Sequence, residues 1–151
     1  MSRIRRILHP SDFSRASAAA FTKAVDLAKT NKAELLLVHG LAPTLPMLGD
    51  GYVSPKVYED LVASARGYGK KNLDALVAKK AGGRAKSVLL GGVAHEQIAR
   101  TARRLRADLV VMGTQGRTGL AKLFVGSVAG RVGAIAPCPV MTRARDVATS
   151  P

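Results

Sequence analysis

Apolar and polar positions follow two periods along the chain, one typical of buried strands and one typical of helices. Residues 35–38 form a continuous apolar run, Leu-Leu-Leu-Val, of the kind found in strands covered on both faces. Other segments carry an apolar residue at every third or fourth position, which indicates helices with one buried face. Together the two periods predict strands at residues 3–9, 33–39, 85–90, 108–113 and 139–142, and helices at residues 14–30, 55–80, 94–105 and 127–136.

The predicted strands and helices alternate from the first element to the last. Parallel strands need a long crossover connection, which is usually a helix, so the alternation predicts βαβ units and an α/β fold with one open parallel sheet. A length of 151 residues, of which 47% are hydrophobic, suits a single core. We therefore expect one domain over residues 1–145 and a short C-terminal tail over residues 146–151.

The charge of the chain favours anionic partners. The formal net charge is +14, and no Asp or Glu occurs between Asp108 and Asp146. A bound anion would meet an unopposed positive field in that stretch. The sequence contains only three tyrosines, three phenylalanines and no tryptophan. Few aromatic side chains are therefore available to stack on the bases of a nucleic acid. Specific nucleic-acid binding is therefore not predicted.

Cysteine content and hydropathy indicate the compartment. Cys138 is the one cysteine in the sequence, which excludes an intrachain disulfide and a cysteine-ligated zinc cluster. It stands between two prolines and is interpreted as a small buried residue. No apolar run is long enough to span a bilayer, and no segment resembles a signal peptide. We expect a cytoplasmic protein that does not associate with membranes.

The strongest chemical signal is a glycine-rich segment, Gly113-Thr-Gln-Gly116, then nine residues, then Gly126-Ser127. It begins where a predicted strand ends and finishes where a predicted helix begins. Glycines allow backbone N–H groups to approach phosphate oxygens because no Cβ stands in the way. The helix N-terminus adds unpaired donors and a partial positive charge. This glycine loop therefore predicts a phosphate-binding site.

The sequence from Met112 to Val128, followed by Ala-Pro-Cys-Pro-Val at residues 136–140, is similar to the ATP-binding branch of the universal stress proteins. Ile-Leu-His-Pro-Ser-Asp-Phe-Ser at residues 7–14 resembles the first strand and turn of that family. The resemblance covers nearly the whole chain. It implies a Rossmann-like sheet of five strands in the order 3-2-1-4-5, with helices on both faces, and a dimer. In that order strands 1 and 4 flank the topological switch point, where open α/β sheets bind ligands.

The resemblance also implies which residues hold ATP, alone or with Mg²⁺. The glycine loop is expected to contact the phosphates and part of the ribose, and Asp12 to accept a hydrogen bond from a ribose hydroxyl. Gly40 stands where the family usually has valine, and its backbone is expected to contact adenine. The expected site comprises Pro10, Ser11, Asp12, Gly40, Met112, Gly113, Gly116, Arg117, Gly126, Ser127 and Val128.

Several of these assignments have alternatives. Asp12 would also serve as a helix cap, as would Ser11 or Ser14. Arg117 is a contact for the anion or a solvated surface residue. A zinc site is conceivable because three histidines follow strands that neighbour one another in the implied order, namely His9, His39 and His95. Histidines at strand ends without supporting acids are usually structural or solvated, so no metal ligand is predicted.

The preferred hypothesis is a nucleotide-binding stress protein whose ATP occupancy changes assembly or partner choice. A homodimer is expected through the edge strand at residues 139–142, which leaves backbone groups unpaired. The alternative is a slow ATP hydrolase or phosphotransferase. No GxxxxGK[ST] pattern occurs, and the acid-free stretch supplies no carboxylate for catalysis, although Gln115 could orient a water. We therefore expect no catalytic residue.

Overall fold

Strands and helices alternate in the computed structural model, which describes residues 3–40, 54–80, 85–91, 94–114 and 127–143. The strands are β1 (Arg6–Pro10), β2 (Glu34–Gly40), β3 (Ala85–Leu90), β4 (Leu109–Gly113) and β5 (Val140–Arg143). The helices are α1 (Arg15–Asn31), α2 (Pro55–Lys80), α3 (Ala94–Arg104) and α4 (Ser127–Ile135). Every element that the sequence predicts is present, with its ends within three residues of the predicted bounds.

The five strands form one parallel sheet in the order β3-β2-β1-β4-β5. This confirms the order 3-2-1-4-5 that the family resemblance implies. β1 pairs with β2 along its whole length, whereas its ladder with β4 comprises only Ile7↔Leu109 and Leu8↔Val110. The two central strands therefore separate toward their carboxyl ends, at the point where the order of strands reverses.

Each face of the sheet is covered by a separate hydrophobic cluster. Along β2, Leu35 and Leu37 pack into the cluster beneath α1 and α2. Their neighbours Leu36 and Val38 pack into the cluster beneath α3 and α4. Because side chains alternate between the faces of a strand, a strand buried on both faces must be apolar at every position. This confirms that the apolar run of β2 is covered on both faces.

α2 shows why glycine is retained inside a helix, where it costs about 1 kcal/mol relative to alanine. A Cβ on Gly69 would lie 2.8 Å from Leu89 Cδ2 and 2.9 Å from His39 Cδ2. A larger residue there would force the side chains of Leu89 and His39 to shift, so the glycine allows the helix to pack closely on β2 and β3. None of the described helices, α2 included, combines the length and apolar character needed to cross a membrane.

Candidate functional site

The ladder between β1 and β4 ends before their carboxyl ends, and the side chain of His9 joins the two strands beyond it. The backbone ladder stops after Leu8↔Val110. One residue further on, the ring of His9 donates a hydrogen bond from Nδ1 to the Val111 carbonyl oxygen over 2.8 Å. The donor must be Nδ1–H because a carbonyl oxygen only accepts. A side chain thus replaces the backbone ladder where the strands diverge.

His9 is a neutral, structural residue. Its side chain is fully buried and its ring lies 5.7 Å from that of Phe21. Burial lowers the pKa of His9 to about 4, although the hydrogen bond to Val111 and the charge of Asp12 act in the opposite direction. No described residue is a partner for Nε2. Across the described residues, no three His, Cys, Asp or Glu side chains are grouped as a metal site would require.

The turn that follows β1 is anchored to β2 by two hydrogen bonds. The backbone N–H of Ser11 donates to the Val38 carbonyl over 2.8 Å. Nδ1 of His39 donates to the Ser11 carbonyl over 2.7 Å. Within the turn, the N–H of Phe13 donates to Ser11 Oγ over 3.0 Å. The position of the turn therefore depends on β2 as well as on β1.

Asp12 is held by one of its two carboxylate oxygens. Oδ1 accepts from the Ser14 N–H at 2.9 Å and from Ser17 Oγ at 2.7 Å. The Asp12 N–H in turn donates to Ser17 Oγ over 3.2 Å. Among the described residues, no donor reaches Oδ2, and the side chain is half-buried. Asp12 is therefore oriented by the protein and keeps one oxygen able to accept a hydrogen bond from a ligand.

The N-cap of α1 is Ser14, whose Oγ accepts from the N–H of Ser17 over 3.2 Å. The sequence leaves Ser11, Asp12 and Ser14 open as caps, and the structure selects the last. Asp12 is not the cap itself, but it orders the cap residue through the Ser14 N–H. Its structural role uses Oδ1 only, so it does not compete with a ligand contact through Oδ2.

Phe13 has a left-handed backbone conformation, with φ 63°. This conformation is unfavourable for residues with a Cβ. The ring of Phe13 lies 4.5 Å from that of His39 and 5.8 Å from that of Tyr68. These contacts with β2 and α2 offset the strain, and the sharp turn directs the chain from β1 into α1.

Gly113 brings the end of β4 against the first turn of α1. A Cβ at this position would lie 2.8 Å from the Ala16 carbonyl carbon and 3.0 Å from Ala16 Cβ. The glycine is thus required for space between two backbones. It places the start of the glycine loop beside the turn that carries Asp12, although the two are about a hundred residues apart in sequence.

The remaining candidate residues have different surroundings. Pro10 is buried at the end of β1. Gly40 is the last residue of β2, not a loop residue, and a Cβ there would make an ordinary 3.9 Å contact with Ala94. The Met112 side chain is buried in the cluster under α3 and α4, so its ligand contacts would come from its backbone. Val128 is exposed in the first turn of α4, which begins at Ser127.

Part of the predicted site lies outside the described residues, namely Gly116, Arg117 and Gly126, together with Gln115. Sequence reasoning did not predict the hydrogen-bond partners of His39 and Ser17. Their signal in the sequence is weak, because a histidine before Gly40 and a serine in a helix have many ordinary explanations. Cys138 is half-buried, and burial followed by the charge of Asp108 raises the pKa of its thiol, which disfavours the thiolate.

The sequence pattern of the universal stress protein family matches residues 3–142. The chain belongs to this family. Universal stress protein MJ0531 of Methanocaldococcus jannaschii is 32% identical over 139 residues, which are 91% of this chain and 80% of that protein. The match extends from β1 to β5, so the family accounts for the whole described fold.

Solved structures of universal stress proteins have the same fold. The universal stress protein UspA from Lactobacillus plantarum superimposes with a TM-score of 0.83 at 26% identity, covering 95% of this chain and 99% of that one. A universal stress protein of Arabidopsis thaliana, solved with AMP bound, has a TM-score of 0.68 at 22% identity. The alignment with the Arabidopsis protein covers 97% of this chain and 95% of that one.

Proposed function

We propose that this universal stress protein binds ATP in the crevice between the carboxyl ends of β1 and β4. The observation that carries the proposal is the geometry of Asp12. Its Oδ1 is bound by Ser14 and Ser17, and within the described structure its Oδ2 has no donor. An oriented carboxylate at the switch point of an open α/β sheet is well suited to accept a hydrogen bond from a ribose hydroxyl.

The phosphates would lie on the glycine loop between β4 and α4. Gly113 starts that loop beside the Asp12 turn, and Ser127 starts the helix at its other end. The N-terminus of α4 carries unpaired N–H groups and a partial positive charge, both of which favour phosphate. Gly116 and Gly126 would admit the phosphates to backbone N–H groups, and Arg117 would add a cation.

Adenine would lie toward β2. Gly40 ends that strand, and a Cβ there would meet only Ala94 at 3.9 Å, so its backbone is accessible to a planar base. The AMP complex of the Arabidopsis relative supports an adenine nucleotide as the ligand class. The overall positive charge of this chain favours the triphosphate, which carries more negative charge than the monophosphate.

Binding of a nucleotide to the glycine loop would affect β5, because the start of the loop contacts this strand. Gly113, which starts the glycine loop, is in register with Arg143 at the end of β5. The next N–H, that of Thr114, donates to the Arg143 carbonyl over 3.2 Å. A ligand that contacts the loop would therefore also act on the edge strand. We propose that this edge is where ATP-dependent assembly or partner choice is expressed.

Isothermal titration with ATP tests the site through Asp12→Asn. Asparagine keeps an oxygen for Ser14 and Ser17 but presents an NH₂ group in place of Oδ2. Losing a hydrogen bond to a charged acceptor costs about 1.5–3 kcal/mol, so affinity should fall roughly ten- to a hundredfold. Asp26→Asn, on the exposed face of α1, removes the same charge and should leave affinity unchanged. An unchanged titration for a folded Asp12→Asn protein would remove Asp12 from the site.

A further inference from the structure

A second cavity lies at the opposite end of the sheet from the proposed ATP site. It is a groove of about 430 Å³ at the amino ends of β1, β2 and β3, next to the end of α3. Its apolar lining consists of Leu36, Val88 and Leu105, and its charged lining of Arg6, Glu34, Lys86, Arg104 and Arg106. We call it the basal groove. Neither the family match nor the proposed function uses it.

The alternation of the strands explains why the basal groove has an apolar floor and a charged rim. Arg6 and Glu34 are the first residues of β1 and β2 and lie opposite each other in the ladder. Two residues further along β2, on the same face, Leu36 belongs to the cluster beneath α3 and α4. Val88 on β3 and Leu105 after α3 pack against that cluster. Apolar residues of the core therefore form the floor of the groove, and charged residues at the strand ends form its rim.

The carboxylates near the basal groove are already engaged. Glu34 Oε1 pairs with Lys86 Nζ at 3.5 Å. Asp108, close by, accepts the backbone N–H groups of Arg5 and Arg6 at 2.8 and 3.0 Å through Oδ2. Within the described part of the chain, no carboxylate forms an ion pair with Arg6, Arg104 or Arg106. Among the described residues, the three guanidinium groups outnumber the one nearby carboxylate without an ion pair, that of Asp108, so the rim keeps a net positive charge.

Arg106, two residues beyond the end of α3, has a backbone conformation that normally belongs to glycine. Its φ is 54°. The Arg106 N–H donates to the Arg103 carbonyl and the Ala107 N–H to the Ala102 carbonyl, which is the pattern of a Schellman motif. Both hydrogen bonds also satisfy carbonyl oxygens at the end of α3, whose partial negative charge would otherwise repel an anion. Glycine would be more stable at this position.

We propose that the basal groove binds a small organic phosphate, with the phosphate on Arg104 and Arg106 and an apolar body on Leu36 and Val88. Guanidinium groups offer paired N–H donors that match phosphate oxygens. The volume lies in the range of small-molecule pockets, roughly 300–1,000 Å³, and an apolar lining with a few converging polar groups is typical of them. This ligand site is separate from the ATP crevice and does not depend on it.

Amide NMR of the full chain with phenyl phosphate tests the proposal and locates the binding. Phenyl phosphate has an apolar ring and, because its second pKa is about 6, close to two negative charges at neutral pH. We expect saturable shifts at Leu36, Lys86 and Leu105, separate from any at Gly113. Phenol should produce no such shifts, and inorganic phosphate should produce weaker ones. Shifts that are confined to Gly113 and its surroundings, or that never saturate, would overturn the proposal.

Arg106→Gly and Lys32→Gly form a matched pair of variants. Lys32 follows α1 with φ 53° and the same two hydrogen bonds, from Lys32 to Lys29 and from Ala33 to Ala28, but it does not line the groove. Both variants remove one positive charge and place glycine where glycine is preferred, so both should melt at a higher temperature.

Of this pair, only Arg106→Gly should lower the affinity for phenyl phosphate. We expect a loss of about tenfold or more, because the variant removes a charge-assisted hydrogen bond. Arg104→Ala, on the exposed side of α3, should lower the affinity similarly. Equal affinity losses for Arg106→Gly and Lys32→Gly would mean that net charge alone attracts the ligand. Full affinity in a folded Arg106→Gly protein would also refute the site.

Discussion

At the residue scale, the proposed site is built by polar side chains that are each held by a specific hydrogen bond. Asp12 is oriented through Oδ1 and keeps Oδ2 for a ligand. His39 binds the Ser11 carbonyl through Nδ1 while its ring stacks near Phe13. His9 binds Val111 through Nδ1, and burial keeps the ring neutral. A folded-state pKa far from its usual value makes His9 a determinant of stability against acid.

We expect the free energy of unfolding to fall as the pH falls from about 6.5 to about 4, because of His9. The unfolded chain takes up a proton on this residue near its ordinary pKa of 6.5, whereas the folded protein takes it up only near 4. The unfolded state therefore binds more protons in this window, and stability rises with pH across it. The contribution is complete above pH 6.5, and roughly 3 kcal/mol of it is lost by pH 4.

His9→Asn isolates this effect in urea titrations at several pH values. Asparagine can donate to the Val111 carbonyl but does not titrate in this range. The variant should show a shallower dependence on pH between 6.5 and 4. If the two proteins lose stability in parallel, His9 is not the group responsible.

At the scale of elements, the contact between β4 and α1 decides where the glycine loop begins. Gly113 lies so close to Ala16 that the two backbones are almost in contact. The first turn of α1 also contains Ser14 and Ser17, which hold Asp12. One helix end therefore positions both halves of the proposed ATP site.

Gly113→Ala is expected to destabilise the fold and to weaken ATP binding. The new Cβ would meet a backbone carbon at 2.8 Å, and a backbone cannot move aside as a flexible side chain can. Overpacking of this kind costs about 1–3 kcal/mol. Urea denaturation measures the loss, and titration with ATP should report a lower affinity, because β4 and α1 must separate.

Gly133→Ala serves as the control for this change. A Cβ on Gly133, in the exposed part of α4, meets no atom within 4 Å. Replacing a glycine inside a helix by alanine should stabilise the protein by roughly 0.5–1 kcal/mol. The two substitutions should thus have opposite signs. A Gly113→Ala protein as stable as the Gly133→Ala protein would show that the close approach does not constrain the site.

At the scale of the whole molecule, the two edges of the sheet differ in length, with 6 residues in β3 and 4 in β5. β3 forms one edge and is contacted by α2 and α3, while β5 is contacted by α1 and α4. β5 forms the other edge, with its first two residues half-buried and Thr142 and Arg143 exposed. An edge strand presents backbone groups that a second copy can pair with. In a dimer with a two-fold axis beside β5, the backbone groups of this strand would pair with those of β5 in the second copy.

We expect a homodimer through β5 whose stability responds to ATP. Sedimentation velocity should detect it in the micromolar range, with a tighter association when ATP is bound. Thr142→Lys brings like charges together across the two-fold axis and should weaken the dimer by roughly tenfold or more. Thr30→Lys, on the exposed surface near the end of α1, adds the same charge and should not change it. A monomer at high micromolar concentration, with and without ATP, would contradict this geometry.

The sequence by itself determines the type and order of the elements, because hydrophobic periodicity records which faces are buried. It also identifies the glycine loop, because the residues that make up this phosphate-binding pattern lie within one short segment between a strand and a helix. The strand order came from the family resemblance, and periodicity alone does not distinguish it from other orders. Family membership therefore adds the topology that places β1 beside β4.

Only the tertiary structure decided the contacts between distant residues. The bond from His9 to Val111 and the approach of Gly113 to Ala16 each join segments about a hundred residues apart. The choice of Ser14 as cap and the gathering of arginines at the basal groove also depend on how elements pack. Periodicity reports whether a residue is buried but not which residue it meets, since that partner is set by strand pairing and helix packing.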